Sequence, residues 1–388
     1  MKWSHLDQAM TVDDTDSAAL RDDVLALLKK QGLVPEPGSP LASILDRLPE
    51  DGGAPRALDE EELRTMQERM LAEEVERMRG GGAELRKRVQ RALYEGESCA
   101  GWDLSGVDLS RLRLSGGDFR RARFRRAILA GTIFGGTDFA DATFVECEVS
   151  DAQLEEARLD RATFNFCRLE RAHFRAASLD DARFTECLLR GARFSQSFGR
   201  RAELLDSRLD DATFDDAVFD GADLTGSVLD RALLARTSLV DVWMIEGVSA
   251  KDARFDRCEL RKLRATGGTD VSGSTFAACY GPGARFNGAI ARKTDFSFSD
   301  LERAGFTGAD LRGAVLMGCR LRKARFDDAN AMTAKLLKSD LFEARLERAN
   351  LRGADLRGAN LYGAELLKAA LDGAKLDLAN LDATRLAR

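Results

Sequence analysis

The chain has 388 residues, of which 44% are hydrophobic and 32% charged, a balance typical of a folded soluble protein and not of a disordered one. It contains no run of about 18 apolar residues, so we expect no membrane insertion. Residues 1–100 hold 14 Lys+Arg and 21 Asp+Glu, whereas residues 101–388 hold 45 and 44, so the acidic excess lies in the N-terminal part. The first residues lack the apolar core of a signal peptide, which predicts a cytoplasmic protein.

Residues 1–95 are predicted to form a helical N-terminal region with an acidic lead and Pro/Gly-rich linkers. Four segments have helical spacing of apolar residues next to capping or breaking residues: about 18–31, 40–48, 59–79 and 83–94. The last segment places Leu85, Val89 and Leu93 on one face. A helix there would cover the exposed edge of the layer that follows, so we expect it to pack near Trp102.

A five-residue repeat begins after this region. From residue 104 to residue 244, a large apolar residue occupies all but one of 29 positions spaced five apart, the exception being Gly199. A mostly small residue stands two positions before each. Five matches neither the helical period of 3.6 nor the strand period of 2.0. A chain that turns a corner every five residues would point these side chains inward, and four such sides would close a square coil that stacks at strand spacing.

A spacing of 20 residues tests this interpretation, because residues 20 apart should lie on neighbouring coils. Arg121, Asp141, Arg161, Asp181 and Arg201 alternate in sign at that spacing, as stacked neighbours should. Cys147, Cys167 and Cys187 recur at the small inward position. Three thiols in a line do not form a tetrahedral site, so we interpret them as packing residues and predict no metal and no cofactor.

After residue 244 the register slips twice by one residue, and corner bulges could absorb both insertions. The irregular belt at 243–293 contains outward aromatic residues and an excess of positive charge, both of which are typical of protein interfaces. The predicted partner-binding residues are Trp243, Arg254, Arg257, Arg261, Lys262 and Tyr280. The alternative is an ordinary insertion in which Trp243 folds back into the core.

The repeat units themselves resemble a known family. Ala-Asp-Leu-Thr-Gly at 222–226, Ala-Asp-Leu-Arg-Gly at 309–313 and 354–358, and Ala-Asn-Leu-Tyr-Gly at 359–363 resemble the units of pentapeptide-repeat proteins. The resemblance implies a mainly β fold, a right-handed quadrilateral β-helix over residues 96–388, after the N-terminal α-helical region. One fold of this kind serves many roles.

Two functions follow from resemblance. Residues 85–106 resemble the entry into the repeats, and residues 353–367 the last coils, of pentapeptide-repeat proteins associated with type VI secretion. The resemblance implies a bacterial interaction scaffold, either an adapter, an effector loader or a secreted cargo, whose protein partners are secretion components or effectors. The alternative is a DNA mimic that binds a type II topoisomerase (gyrase), as quinolone-resistance members do. Mimicry needs a strongly negative rod, and residues 101–388 are nearly neutral.

Enzymatic activity and nucleic-acid binding are not expected. His5 and His173 are the two histidines of the chain, and neither a phosphate-binding loop nor a dinucleotide fingerprint is present. We therefore predict a non-enzymatic protein whose partners are other proteins. The sequence does not indicate its oligomeric state.

Overall fold

A computed structural model of the protein describes residues 82–385, which belong to the second of two compact units, Met78–Arg388. The helices predicted at 18–31, 40–48 and 59–79 lie outside the described residues. Helix α1, Ala83–Tyr94, confirms the fourth predicted helix. Within residues 82–385 no helix is long and apolar enough to span a bilayer.

Helix α1 lies against the first coil as its apolar spacing predicts. Val89 is buried, and Leu85 and Leu93 pack on the same core. The Arg88 guanidinium carbon lies 4.2 Å from the centre of the Trp102 ring. The helix thereby covers strand edges that would otherwise be exposed at this end of the stack.

Seven short strands, all paired in parallel, follow the helix. They are β1 Arg123–Arg125, β2 Thr143–Val145, β3 Thr163–Asn165, β4 Arg183–Thr185, β5 Glu203–Leu205, β6 Trp243–Met244 and β7 Arg264–Ala265. Partners in β1–β5 are 20 residues apart, and β6 and β7 pair at 21. This spacing is one coil per 20 residues, with single extra residues where the register slips.

Four columns of paired residues run along the coil and define its four faces. Face 1 begins at Asp103 and contains all seven strands, and faces 2, 3 and 4 begin at Asp108, Arg113 and Asp118. Fourteen successive partner steps lead along face 1 from Asp103 to Arg385. At about 4.8 Å per step, the described coil is a rod of about 65–70 Å.

The apolar residues of the five-residue repeat fill the interior. Phe124, Phe144, Phe164 and Phe184 are buried and stacked, with ring centroids 4.3–4.7 Å apart and planes within 3° of parallel. The small residues two positions earlier are buried as well, including the cysteine column. The fold is therefore the stacked square coil that the period indicated, the mainly β, right-handed quadrilateral β-helix that the family resemblance implied.

The corners carry the ladder of alternating charges. Each corner residue has a left-handed backbone, for example Asp141 with φ 61° and Arg161 with φ 58°. Such a conformation costs a non-glycine residue about 1–2 kcal/mol. Arg161 Nε donates to Asp141 Oδ1 at 2.7 Å, and Arg201 pairs in the same way with Asp181. Surface pairs contribute about 0.2–1 kcal/mol each, so the ladder offsets part of the corner strain.

Both single-residue insertions lie at the corner between faces 1 and 2, one coil above the other. The first falls between Trp243 and Ser249 and the second between Arg264 and Asp270. Thr269 Oγ1 donates to the Met244 carbonyl at 2.6 Å, which ties the two corners together. The partner spacing then returns to 20, so the stack continues unbroken as predicted.

Candidate partner-binding surface

The six predicted residues are distributed over three faces of the coil. Trp243 is on face 1, Arg254 on face 3, Arg261 and Tyr280 on face 4, Arg257 at the corner of faces 3 and 4, and Lys262 at the corner of faces 4 and 1. The structure thus brings Trp243, Lys262, Arg261 and Tyr280 to one edge, which we name the belt edge. Arg254 lies on the opposite side from Trp243, so the two cannot share a flat surface.

Trp243 points outward, and a side chain of the coil above contacts its ring. It is 42% exposed, whereas its chain neighbours Val242 and Met244 are buried. The Arg264 guanidinium carbon lies 4.3 Å from the centre of the ring, and Arg264 Nη2 is 3.1 Å from Asp241 Oδ1. A guanidinium over an indole face is an attractive contact. The indole is therefore a positioned, solvent-facing group and does not fold back.

Tyr280 is the second exposed aromatic residue of the belt edge, at 48%. It pairs with Glu259 on the coil below. Glu259 also accepts a hydrogen bond from Arg261 Nε at 2.8 Å, and that bond raises the pKa of Arg261. After Tyr280, Gly281 replaces an inward side chain, since a Cβ there would lie 3.2 Å from Leu260 Cβ.

The positive charge of the belt is partly neutralised. Arg254 pairs with Asp256 at 3.1 Å, and Arg261 pairs with Glu259. Among residues 82–385, Arg257 and Lys262 are exposed and make no ion pair. Two of the four predicted cations therefore keep their charge available for a partner.

Two groups of surface residues lie outside the six predicted ones. Arg264 and Arg285 lie above Trp243 on face 1, and counting by 21 from Trp243 reaches both. On face 4, Phe342 stacks on Tyr362 with ring centroids 5.6 Å apart, and Arg322 lies over Phe342 at 4.5 Å. Their spacing of 20 was the signal in the sequence.

The remaining chemistry-bearing groups form no reactive site in the part of the chain that the structure describes. No cluster of three metal-ligating side chains occurs there. His173 Nδ1 has one acidic neighbour, Glu155 Oε1, at 3.2 Å. The seven thiols are buried, and burial raises the pKa of Cys99 to about 11 and that of Cys319 to about 12. Thiols of this kind are inert, because the thiolate is the nucleophile.

A square parallel coil with inward apolar residues every five positions defines a repeat solenoid. A family model described as a pentapeptide repeat region matches residues 117–194, and one described as pentapeptide repeats matches 177–216, 212–246, 272–308, 299–336 and 339–387. The chain belongs to the pentapeptide-repeat family. The matches leave out residues 247–271, a segment that lies in the belt.

Several solved structures are similar to this chain, whereas no curated protein matches it. QnrB1, a plasmid-mediated fluoroquinolone resistance protein, is 20% identical over 57% of this chain and 93% of its own, with a TM-score of 0.23. HetL of Nostoc sp. strain PCC 7120, involved in heterocyst differentiation regulation, is 22% identical over 76% and 94%, with a TM-score of 0.17. Rfr23 of Cyanothece 51142 is 22% identical over 30% and 89%, with a TM-score of 0.21. At these identities the likeness concerns the fold alone.

Proposed function

We propose that the protein is a non-enzymatic scaffold that binds another protein at the belt edge. The observation that carries the proposal is the Trp243 ring, exposed and positioned by Arg264 beside the segment that the family models leave unmatched. Many charged residues at the corners are already paired with a residue of the neighbouring coil, so few of them are free to pair with a partner protein. Trp, Tyr and Arg contribute much of the binding energy of protein interfaces, and the belt edge contains one of each: Trp243, Tyr280 and Arg261.

We further propose that the partner is a component or an effector of a bacterial type VI secretion system. The support is the resemblance of residues 85–106 and 353–367 to the secretion-associated members of the family. We place the scaffold in the cytoplasm, where the seven free cysteines stay reduced. Gyrase binding by DNA mimicry has less support, because residues 101–388 hold 45 basic and 44 acidic residues.

Capture from the native cells tests this proposal. Tagged full-length protein is crosslinked, purified and analysed by mass spectrometry as wild type, Trp243→Ala and Phe198→Ala. Phe198 is a matched control, since it is 44% exposed and lies in the face 4 column four partner steps below Tyr280. We expect secretion components in the wild-type sample, a loss of at least about tenfold in Trp243→Ala, and no loss in the control.

Equal capture by all three proteins would overturn the assignment of the belt edge. Recovery of gyrase subunits, together with inhibition of DNA supercoiling by the purified protein, would instead establish the alternative function. Melting temperatures of the variants should match the wild type, because both residues are exposed and neither belongs to the buried core.

A further inference from the structure

On face 1, no ion pair joins two residues of the column between Asp223 and Arg325. Below this stretch Arg183 pairs with Glu203 at 3.2 Å, and above it Arg345 pairs with Glu365 at 3.5 Å. In between, the stacked segments 262–269, 283–289 and 303–309 contain four basic residues and no Asp or Glu. We name these three segments the cationic window.

The four cations of the window differ in how far they are neutralised. Arg264 pairs with Asp241, and Arg303 lies 3.9 Å from Glu302 of face 4. Lys262 and Arg285 are exposed and have no ion pair within the described coil. Two positive charges are therefore left without a counter-charge on a face where other coils supply one.

The neighbours of Arg285 in its column carry no acidic side chain. On the next coil of face 1 its partner is Gly305, and the Asn287 amide lies against that glycine, since a Cβ there would be 2.6 Å from Asn287 Oδ1. On the coil below, its partner Arg264 contacts Trp243 and pairs with Asp241. The corner toward face 2 is formed by glycines on the successive coils: Gly267, Gly268, Gly288 and Gly308. A strip without acidic side chains thus extends along face 1 above the Trp243 ring, past Arg285 to Gly305.

We propose that the cationic window binds a short acidic segment of the partner protein in an extended conformation. The proposal rests on the protein-binding function assigned to the belt edge. Arg285 and Lys262 pair with carboxylates of the segment, since a guanidinium fork matches a carboxylate with two parallel hydrogen bonds. Trp243 packs against an apolar residue of the same segment.

The acids at the border of the window give the segment a direction. Glu246 lies at a corner on the coil of Trp243, and Asp241 lies at the corner just before Trp243 and is paired with Arg264. Carboxylates of the partner therefore avoid this coil and lie over Arg285, while the apolar residue lies over the indole.

The size of the window favours a linear segment over a folded domain or a nucleic acid. From Trp243 to Gly305 the strip covers three partner steps, about 14 Å, which is the length of about four extended residues. A standard interface between folded proteins is several times larger. Nucleic acids need many phosphate contacts and a strongly basic domain, and this coil is nearly neutral.

Fluorescence anisotropy with defined peptides tests the proposal. Three labelled peptides of about ten residues share one Leu and carry about four Glu, Gln or Lys, and each is titrated with the full-length protein. We expect the Glu peptide to bind at least about tenfold more tightly than the Gln peptide, a difference that matches hydrogen bonds to charged groups. Its affinity should fall as salt is raised, because exposed charges are screened.

Two charge reversals localise the binding. Arg285→Glu should weaken the Glu peptide at least about tenfold, and Arg285→Ala should weaken it in the same direction. Arg193→Glu is the matched control, because Arg193 is exposed, occupies the same place in its repeat, lies on the opposite face 3, and has no ion pair among the described residues. It should leave the affinity within about twofold of wild type.

Equal binding of the Glu and Gln peptides, or equal loss in both reversals, would overturn the proposal. Tighter binding of a single-stranded oligo-dT of similar length would assign the window to nucleic acid and overturn it as well. If Trp243→Ala lost the cellular partner while the peptides showed no charge preference, the belt-edge function would stand and this inference alone would fail. If the Glu peptide bound through Arg285 but no partner were captured, the cationic window would stand as a site for acidic segments and the belt-edge function would fail.

Discussion

The ring of Phe219 occupies the space that a side chain at Gly199 would fill. A Cβ built on Gly199 would lie 2.6 Å from Phe219 Cε1. The two residues stand one coil apart in the same inward column, and the Gly199 amide donates to the Val218 carbonyl next to Phe219. Phe219 is buried and contacts Phe194 and Phe214 edge to face. The one gap in the first block of repeats is thus closed by a larger residue from the coil above.

This contact predicts that restoring the repeat would destabilise the protein. Gly199→Leu places a large residue at the inward position, as in the other repeats, but the new side chain overlaps the Phe219 ring. We expect a loss of about 1–3 kcal/mol in the free energy of unfolding, measured by denaturant titration. Adding Phe219→Leu should recover most of it. A stable single variant would show that the ring does not fill this space.

The stacked phenylalanine column predicts a large loss in the free energy of unfolding when one of its rings is removed. Phe164→Ala removes a ring packed between Phe144 and Phe184, and we expect a loss of about 3–5 kcal/mol. Phe298→Ala is the control, because Phe298 is 64% exposed and should cost about 1 kcal/mol or less. Similar losses in the two variants would contradict the assignment of inward and outward positions.

The buried thiols predict resistance to thiol reagents. All seven cysteines are buried, and burial raises the pKa of Cys147 and Cys167 well above the ordinary thiol value. We expect the folded protein to show almost no reaction with Ellman's reagent at neutral pH. In denaturant all seven should react. Rapid reaction of any thiol in the folded state would indicate that a coil opens there.

The ladders predict how stability depends on pH. A hydrogen bond from Arg312, aided by Arg292, lowers the pKa of Asp310 to about 2, and Arg357 lowers that of Asp355 to about 2. A carboxyl whose pKa is lower in the folded than in the unfolded state stabilises the fold above its unfolded pKa, near 4, and this contribution is lost as pH falls toward the folded value. The urea midpoint should therefore fall between about pH 4 and pH 2, and these two groups should not change it between about pH 7 and pH 5.

A paired variant isolates these carboxylates. The double substitution Asp310→Asn and Asp355→Asn removes both titrations, so its urea midpoint should be lower at neutral pH and should fall less steeply below about pH 4. An unchanged slope would mean that other groups govern the acid transition.

The repeat made the architecture of the described coil predictable, because the same pattern recurs every five and every 20 residues. The spacing of residues in the sequence predicted three features that the structure contains. They are the burial of Leu109 and Phe164, the cap formed by α1, and the pairing of Arg161 with Asp141. The contact between Arg264 and Trp243 was harder to predict from the sequence, because it depends on the position of the extra residue in the coil.

The candidate surface was harder to predict for two physical reasons. Proximity in sequence suggested that Arg254 and Trp243 act together, but eleven residues of a square coil take the chain to the opposite face. Arg285, by contrast, is distant in sequence and adjacent to Arg264 in space. The availability of a cation also depends on its neighbours, because Glu259 neutralises Arg261 and no described residue neutralises Arg285.

The two stacked insertions lengthen two coils without changing the orientation of the coils above them. Each adds a residue at the corner between faces 1 and 2, yet Trp243, Arg264 and Arg285 remain in one column, so the coils above are not rotated. The exposed glycines Gly267 and Gly268 form the second of these corners. A longer loop grafted between them would project from the rod at the face 2 edge of the cationic window and leave the other three faces in register. This corner is therefore the natural place on the rod to attach a reporter or a second binding module.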